Sequence, residues 1–172
     1  MKFSVASAVF AVFAAATTVL SAPFDNLVTT VAPFGSGATS VPDALAIHSQ
    51  LQVVAATINR SNTDAKATTP VPLSDSDGES ILSIMRQIEP VQMKAVELLK
   101  SKKTTFVGLV PFPVSTVINL PAIIKGDAVA IRDAETVLSA SLVAISGASA
   151  KAEIKAIGDR LVGSMSSLAQ FY

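Results

Sequence analysis

The chain has 172 residues, with 13 basic and 13 acidic side chains, one histidine and no cysteine. The charge balance provides no basic field that would hold nucleic acid. The lack of cysteine excludes disulfides, a thiolate nucleophile and cysteine-ligated metals, and one histidine excludes a multi-histidine metal site. We therefore expect no metal and no other cofactor, and the apolar half of the chain becomes the main source of information.

Residues 1–22 have the layout of a secretory signal peptide. Lys2 supplies an early positive charge, an uncharged run continues from Phe3 to Leu20, and small residues close it at Ser21 and Ala22. A transmembrane anchor is the alternative, because the run is about long enough to span a bilayer, but no basic residues flank its far side. We expect cleavage after Ser21 or Ala22, which leaves residues 23–172 as one secreted domain that is extracellular or in the cell wall.

The first two predicted helices follow from apolar spacing and from capping residues. An apolar segment from Phe24 to Phe34 has helical spacing and ends at Gly35. Ser40, with Asp43 three residues later, is typical of a helix start. The apolar stripe that follows consists of Ile47, Leu51, Val54 and Ile58. The polar stretch from Arg60 to Leu73 has no periodicity and is predicted to be a linker.

A third helix is predicted to begin at Ser74. Its side chain can cap the helix, and acidic residues occupy the first turn, where the helix dipole favours negative charge. The apolar stripe runs to about Lys103 and consists of Ile81, Met85, Ile88, Val96 and Leu99. Pro90 lies inside this pattern and should kink or restart the helix, because proline has no N–H to donate.

Two further apolar stripes complete the predicted fold. One consists of Ile124, Ala128, Ile131, Ala134, Leu138, Leu142 and Ile145, and the other of Ile154, Ile157, Leu161, Met165 and Leu168. No stretch shows the alternation of period two that a half-buried strand requires. We therefore predict an all-α bundle of four long helices, one of them kinked near Pro90, plus a short N-terminal helix.

The stretch from Thr104 to Ile124 carries no charge and departs from this pattern. Its length suits a membrane span, but three prolines argue against a continuous helix, so the chain is not expected to span a membrane. The simpler interpretation is a connection that closes one end of the core. Alternatively, some of its apolar side chains stay exposed as a contact patch. The candidates for surface contact are Phe106, Leu109, Val110 and Phe112.

The sequence offers little catalytic chemistry. His48 is the only possible imidazole base, and no Gly-x-Ser-x-Gly motif accompanies it. We interpret it as a structural residue, assign no catalytic residue and place a hydrolase last among the function classes. Asp133 and Glu135 point in different directions on a helix and are expected to be solvated. Asn59, in Asn-Arg-Ser, is a candidate N-glycosylation site at a predicted helix end.

Several short motifs occur in a specific order along the chain. They are Ala44–Ser49, Leu73–Gly78 leading into Ile81-Leu82, Ile88-Glu89-Pro90, and Lys102-Lys103 with Phe106. In this order they resemble the fungal hydrophobic surface-binding protein A family, which includes secreted cell-wall galactomannoproteins. The resemblance extends from about Asp25 to the end. Members of the family have a longer first helix than Phe24–Phe34, so either the first helix is shortened here or a segment near Ala22-Pro23 is missing.

The resemblance implies a non-catalytic all-α bundle that binds hydrophobic surfaces or lipids. Some members help to recruit secreted polyester hydrolases, and others are similar to carriers that hold a fatty acid between their helices. Methionine suits such a site because it repacks easily around an acyl chain. The residues that we expect to contact a hydrophobic ligand are Met85, Ile88, Leu138, Leu142, Leu161 and Met165. The alternative is a structural cell-wall mannoprotein without a specific small ligand.

Overall fold

A computed structural model describes residues 21–37, 39–69, 71–109 and 119–172 of the chain. Within these ranges all regular secondary structure is helical, which confirms the all-α prediction. Residues 21–31 form α1. The other helices are α2 (Val41–Ala67), α3 (Asp75–Ser101), α4 (Lys103–Leu109), α5 (Leu120–Ile145) and α6 (Ala148–Phe171). The predicted helix count was too low, because the seven-residue α4 lies in a stretch that was expected to be an irregular connection.

The starts of α2 and α3 lie where the capping residues predicted them. The Ser40 hydroxyl accepts a hydrogen bond from the Asp43 N–H, and the Asp43 carboxylate accepts one of 2.8 Å from the Ser40 N–H. Ser74 accepts in the same way from the N–H of Asp77 at 3.2 Å. Each contact satisfies a backbone donor that the first helical turn leaves free. Local chemistry is therefore enough to position these two helix starts.

Two details of α2 and α3 differ from the sequence prediction. α2 continues through residue 60 to Ala67, so the predicted linker was too long. Hydroxyls in this part, which lacks an apolar stripe, bond back to the helix, for example from Thr63 to the carbonyl of Asn59. α3 runs through Pro90 without restarting. Proline has no N–H, so the carbonyl of Arg86, one turn earlier, lacks its usual helical hydrogen bond. Pro90 and Arg86 are both exposed, so water can reach this side of the helix.

The long helices pack in the spatial order α2, α5, α6, α3. α2 and α5 run parallel, because His48 Nδ1 lies 2.7 Å from Asp127 Oδ2 and Ser141 Oγ donates to Asn62 Oδ1 at 2.7 Å. α3 and α6 also run parallel, and Arg86–Glu153 and Arg160–Glu89 ion pairs link them. α2 and α3 are therefore the outer members of the row.

The buried apolar residues form two clusters rather than one core. The larger cluster includes Phe24 of α1, and in it the Phe106 ring stacks on Phe34 with centroids 4.6 Å apart. The smaller cluster, which includes Leu82 of α3, lies toward the connection between α5 and α6. Leu138 of α5 packs against both clusters. The interior is thus divided along the length of the bundle.

Several predictions concern residues outside the described ranges. Residues 1–20 of the predicted signal peptide lie there, as do the contact candidates Val110 and Phe112. The expected cleavage point, after Ser21 or Ala22, falls within α1. Among the helices in the described ranges, none is both long enough and apolar enough to cross a membrane.

Candidate functional site

A cavity of about 70 Å³ lies where the two apolar clusters meet. Five helices contribute to its wall, namely α1, α2, α3, α5 and α6. The apolar lining residues are Phe24, Ile58, Ile81, Ile84, Met85, Ile88, Leu138, Leu142 and Leu161. The polar lining residues are Ser61, Asp64, Gln92, Glu135 and Ser139, and Gly158 completes the wall. The cavity is therefore mostly hydrophobic, with a few polar groups at defined places.

The cavity is elongated along the bundle axis. On α3 its lining runs from Ile81 to Gln92, which is about 16 Å at the rise of an α-helix. The His48–Asp127 and Asn62–Ser141 contacts each join residues that are 79 positions apart in the chain, so Asp64 of α2 lies beside residue 143 of α5. Residue 143 is about 12 Å along the helix axis from Glu135. Asp64 is the exposed member of the lining, so the cavity reaches the surface beside it. Gln92 and Glu135 lie deep inside.

Glu135 is an ionisable group in an apolar setting. Its side chain is almost fully buried, and neither carboxyl oxygen has a hydrogen-bond partner among the described residues. Burial raises the pKa of Glu135 to about 8. The carboxyl group is therefore mostly protonated and uncharged at neutral pH. The prediction that Glu135 is solvated was wrong, whereas its neighbour Asp133 is exposed.

Gln92 completes the polar end of the cavity. Its amide Nε2 donates to the Leu161 carbonyl at 3.0 Å and to Ser164 Oγ at 2.9 Å, and these bonds attach α3 to α6. Its Oε1 is buried and has no partner within the described ranges. Sequence reasoning missed both polar residues, although a signal existed. Gln92 lies four residues after Ile88, and Glu135 lies four after Ile131, so each occupies a position on its helix's apolar stripe.

The structure brings together most of the residues predicted to contact a hydrophobic ligand. Met85, Ile88, Leu138, Leu142 and Leu161 all line the cavity. Met165 does not line it, because its side chain is fully buried in the larger apolar cluster. Helical spacing identified the inward face of each helix, but it could not indicate how far along each helix the cavity extends.

The predicted surface-contact residues have different environments. Phe106 is 1% exposed and packs between Phe34 and Tyr172, so the expectation that it forms an exposed patch was wrong. Leu109 is half-buried and packs against the larger cluster. Val107, on the opposite side of the short helix α4, is 57% exposed. Helical geometry causes this separation, because adjacent residues of α4 point to different faces.

His48 takes part in a contact between helices. Its Nδ1 lies 2.7 Å from Asp127, whose carboxyl pKa is raised by burial and lowered less strongly by the hydrogen bond to His48. The hydrogen bond that places this imidazole goes to a carboxylate of the neighbouring helix, whereas a general base in a hydrolase would face a hydroxyl nucleophile. The described residues also contain no group of three or more side chains that could hold a metal ion. The pair therefore links α2 to α5, outside the cavity lining.

Comparison with known proteins gives matches at the level of family and fold. A search of curated proteins gave no match. Afmp4p, solved in complex with palmitic acid, has a similar fold at 20% identity and a TM-score of 0.77, with 94% of this chain and 97% of that chain covered. Ligand-binding domain 1 of the Penicillium marneffei MP1 protein, solved with arachidonic acids, is 13% identical, with a TM-score of 0.79 and coverage of 95% and 97%.

Domain 2 of the same Penicillium marneffei MP1 protein, also solved with arachidonic acids, is 10% identical, with a TM-score of 0.75 and coverage of 99% and 95%. At these identities the likeness concerns the fold alone. The family model of hydrophobic surface binding protein A matches residues 10–144, which is most of the chain. The resemblance inferred from the motifs is confirmed, and the chain belongs to the hydrophobic surface binding protein A family.

Proposed function

We propose that this protein binds a long acyl chain, such as that of a fatty acid, in the cavity between its two apolar clusters. The observation that carries the proposal is the cavity itself, whose wall is formed mainly by apolar side chains from five helices. Bundle interiors are common locations for ligand cavities. Structural relatives in complex with palmitic and arachidonic acids support the same class of ligand.

Binding of an acyl chain would be driven mainly by burial of its methylene groups. Each buried methylene contributes about 0.8 kcal/mol, so a long chain needs few polar contacts to bind. No catalytic group is required, and the family description concerns hydrophobic surface binding rather than a reaction. The function is therefore carriage or adsorption of hydrophobic material without chemical change.

The cavity must widen to take such a ligand. Its volume of about 70 Å³ is less than half that of the ~150 Å³ engineered cavity that holds benzene. Met85 lines the wall and can change its rotamer at little cost. The boundary between two separately packed clusters is also the place where helices can separate with the least loss of packing. We therefore expect uptake to move side chains at this boundary.

A substitution pair on α5 tests this proposal. Leu138→Trp places a bulky ring at a cavity-lining position, whereas Val137→Trp adds the same ring on the exposed face of the helix. We expect Leu138→Trp to lower fatty-acid affinity at least about tenfold, because the ring occupies the space of several methylenes, and Val137→Trp to keep native affinity. Native mass spectrometry with added palmitic acid measures both. Equal uptake by the two folded variants would contradict a site in this cavity.

Secretion and glycosylation form part of the same proposal. The layout of residues 1–22 supports export, with residues 23–172 as a single mature domain in the extracellular space or cell wall. Asn59 is exposed on α2 rather than at a helix end, which leaves its side-chain amide accessible to a glycan. The intact mass of the secreted protein, compared with that of Asn59→Gln, tests both points.

Adsorption to a solid hydrophobic surface is the second candidate function. The family description and the exposed apolar side chain of Val107 on α4 favour it. Help in recruiting a secreted polyester hydrolase would follow from adsorption, since both proteins would then meet on the same surface. Adsorption uses the outside of the molecule and carriage uses its inside, so the two functions can be separated by substitution.

A further inference from the structure

The inner end of the cavity has hydrogen-bonding capacity that the described protein leaves unused. The two carboxyl oxygens of Glu135 and the Oε1 of Gln92 are buried, and none of them has a partner in the described ranges. Buried polar atoms are usually paired, because an unpaired one loses its bonds to water without replacement. Three such atoms together on a cavity wall indicate a place prepared for a polar group of a guest.

The kind of group follows from counting donors and acceptors. Both protons of the Gln92 amide are already committed, to the carbonyl of Leu161 and to Ser164. The remaining Gln92 oxygen can only accept. Glu135 is uncharged at neutral pH because burial raises its pKa to about 8, so it offers a single proton and further acceptor capacity. Among the two Glu135 oxygens and the Gln92 Oε1, hydrogen-bond acceptors therefore outnumber donors, even if Glu135 donates its proton to Gln92.

We propose that Gln92 and Glu135 bind the head group of the long-chain ligand and select one that donates a hydrogen bond, such as the hydroxyl of a fatty alcohol or of a glycerol monoester. This inference rests on the proposed function, because it concerns the same cavity. If Glu135 donates its proton to Gln92 Oε1, a hydroxyl can donate to the remaining carboxyl oxygen of Glu135, and all three oxygens are then paired. A methyl ester or an ionised carboxylate only accepts, and it leaves at least one buried oxygen unpaired.

The positions of the polar groups set the orientation of the ligand. Gln92 and Glu135 lie at the inner end of the cavity. Asp64 of α2 marks the exposed mouth, about 12 Å from Glu135 along the bundle axis. The wall between these ends is mainly aliphatic, with Met85 and Leu142 among its residues, and Ser61 and Ser139 are its polar members. The hydroxyl therefore lies deep in the bundle, and the hydrocarbon chain extends past Met85 toward the mouth.

Competition binding with the native protein tests the selectivity. A long-chain fatty alcohol, the glycerol monoester, the methyl ester and the free acid of matched chain length compete against a fluorescent acyl probe. We expect the alcohol to bind about tenfold more tightly than the methyl ester, which is the ratio expected when one buried acceptor is left unpaired. The relative affinities of the alcohol and the glycerol monoester then distinguish the two sources of a hydroxyl.

Two substitutions on α5 assign the effect to the inner end. Glu135→Leu removes a carboxyl group that lines the cavity, and Asp133→Leu removes an exposed one nearby. In Glu135→Leu the preference for the alcohol over the methyl ester should fall to less than about threefold, because the buried carboxyl group that distinguishes the two ligands is gone. In Asp133→Leu the native preference should persist. Gln92→Leu provides a second variant, and thermal melts establish that each variant is folded.

The outcomes separate the two proposals. If the native protein binds the alcohol and the methyl ester equally well, the head-group inference is overturned and the acyl-binding function stands. If the preference for the alcohol over the methyl ester persists in Glu135→Leu and Gln92→Leu, the inference is also overturned, because another group would then recognise the head group of the ligand. If none of the long-chain compounds displaces the probe from the native protein, both proposals fail. The expected pattern, selectivity lost only in the two cavity variants, supports them together.

Discussion

Glu135 shows how a single residue can combine a cost in stability with a use in binding. Its uncharged carboxyl group is accommodated among aliphatic side chains because burial raises its pKa to about 8. In the unfolded chain the same group ionises near its ordinary pKa of 4.5. The unfolded state therefore loses its proton first as the pH rises, and the folded state becomes progressively less favoured.

Glu135→Gln should remove this pH dependence. Below about pH 4.5 the carboxyl group is protonated in both states, so native protein and variant should respond to pH alike. Between about pH 4.5 and pH 8 the native protein should lose up to about 1.4 kcal/mol of unfolding free energy per pH unit relative to the variant. Urea unfolding across this range measures the difference. A difference that stays constant with pH would mean that Glu135 is ionised in the folded protein.

At the scale of elements, close contact between α5 and α6 forms one wall of the cavity. Gly158 of α6 faces Ser139 of α5, and a Cβ at position 158 would lie 2.8 Å from the Cβ of Ser139 and 2.1 Å from its Oγ. The hydroxyl can rotate away, but the Cβ cannot. Both residues line the cavity, so the absence of a side chain at Gly158 sets the separation of these helices there.

Two glycine substitutions in α6 should therefore have opposite effects. Alanine is a better helix former than glycine by up to about 1 kcal/mol, so Gly163→Ala, with nothing within 4 Å, should stabilise the protein. Gly158→Ala should destabilise it by about 1–3 kcal/mol, because overpacking forces the helices apart. Denaturant melts of the two variants provide the comparison. A stabilised Gly158→Ala would show that α5 and α6 separate easily.

For the whole molecule, the interior and the exterior offer two different apolar regions. The cavity lies at the boundary between two clusters, whereas Val107 is exposed on α4, whose other face holds Phe106 in the larger cluster. A ligand in the cavity contacts five helices, while a solid surface can contact only exposed groups. Carriage and adsorption therefore depend on different residues of one fold.

Val107→Asp distinguishes these two modes. We expect it to reduce adsorption to hydrophobic beads severalfold, because a charge at a contacted position must be desolvated, and to leave fatty-acid uptake at the native level. Val53→Asp introduces the same charge at an exposed valine of α2 and serves as the control. Depletion of protein from solution by the beads provides the measurement. Equal losses of adsorption in the two variants would argue against a contact surface on α4.

Most of the fold could be predicted from short-range features of the sequence. Helical spacing identified the inward faces of the long helices, and Ser40 and Ser74 marked two of their starts. The absence of cysteine and the single histidine excluded whole classes of chemistry. The same local features failed where apolar spacing was absent, as in the last two turns of α2, or where an apolar run suggested exposure, as at Phe106.

The sequence by itself determined an all-helical protein with an aliphatic interior, because spacing and capping act within a few residues along the chain. Tertiary structure alone decided that this interior divides into two clusters with a cavity between them. It also decided that Met165 packs in one cluster and that Gln92 and Glu135 meet at the inner end of the cavity. These facts depend on the order α2, α5, α6, α3, which brings together residues far apart in the chain.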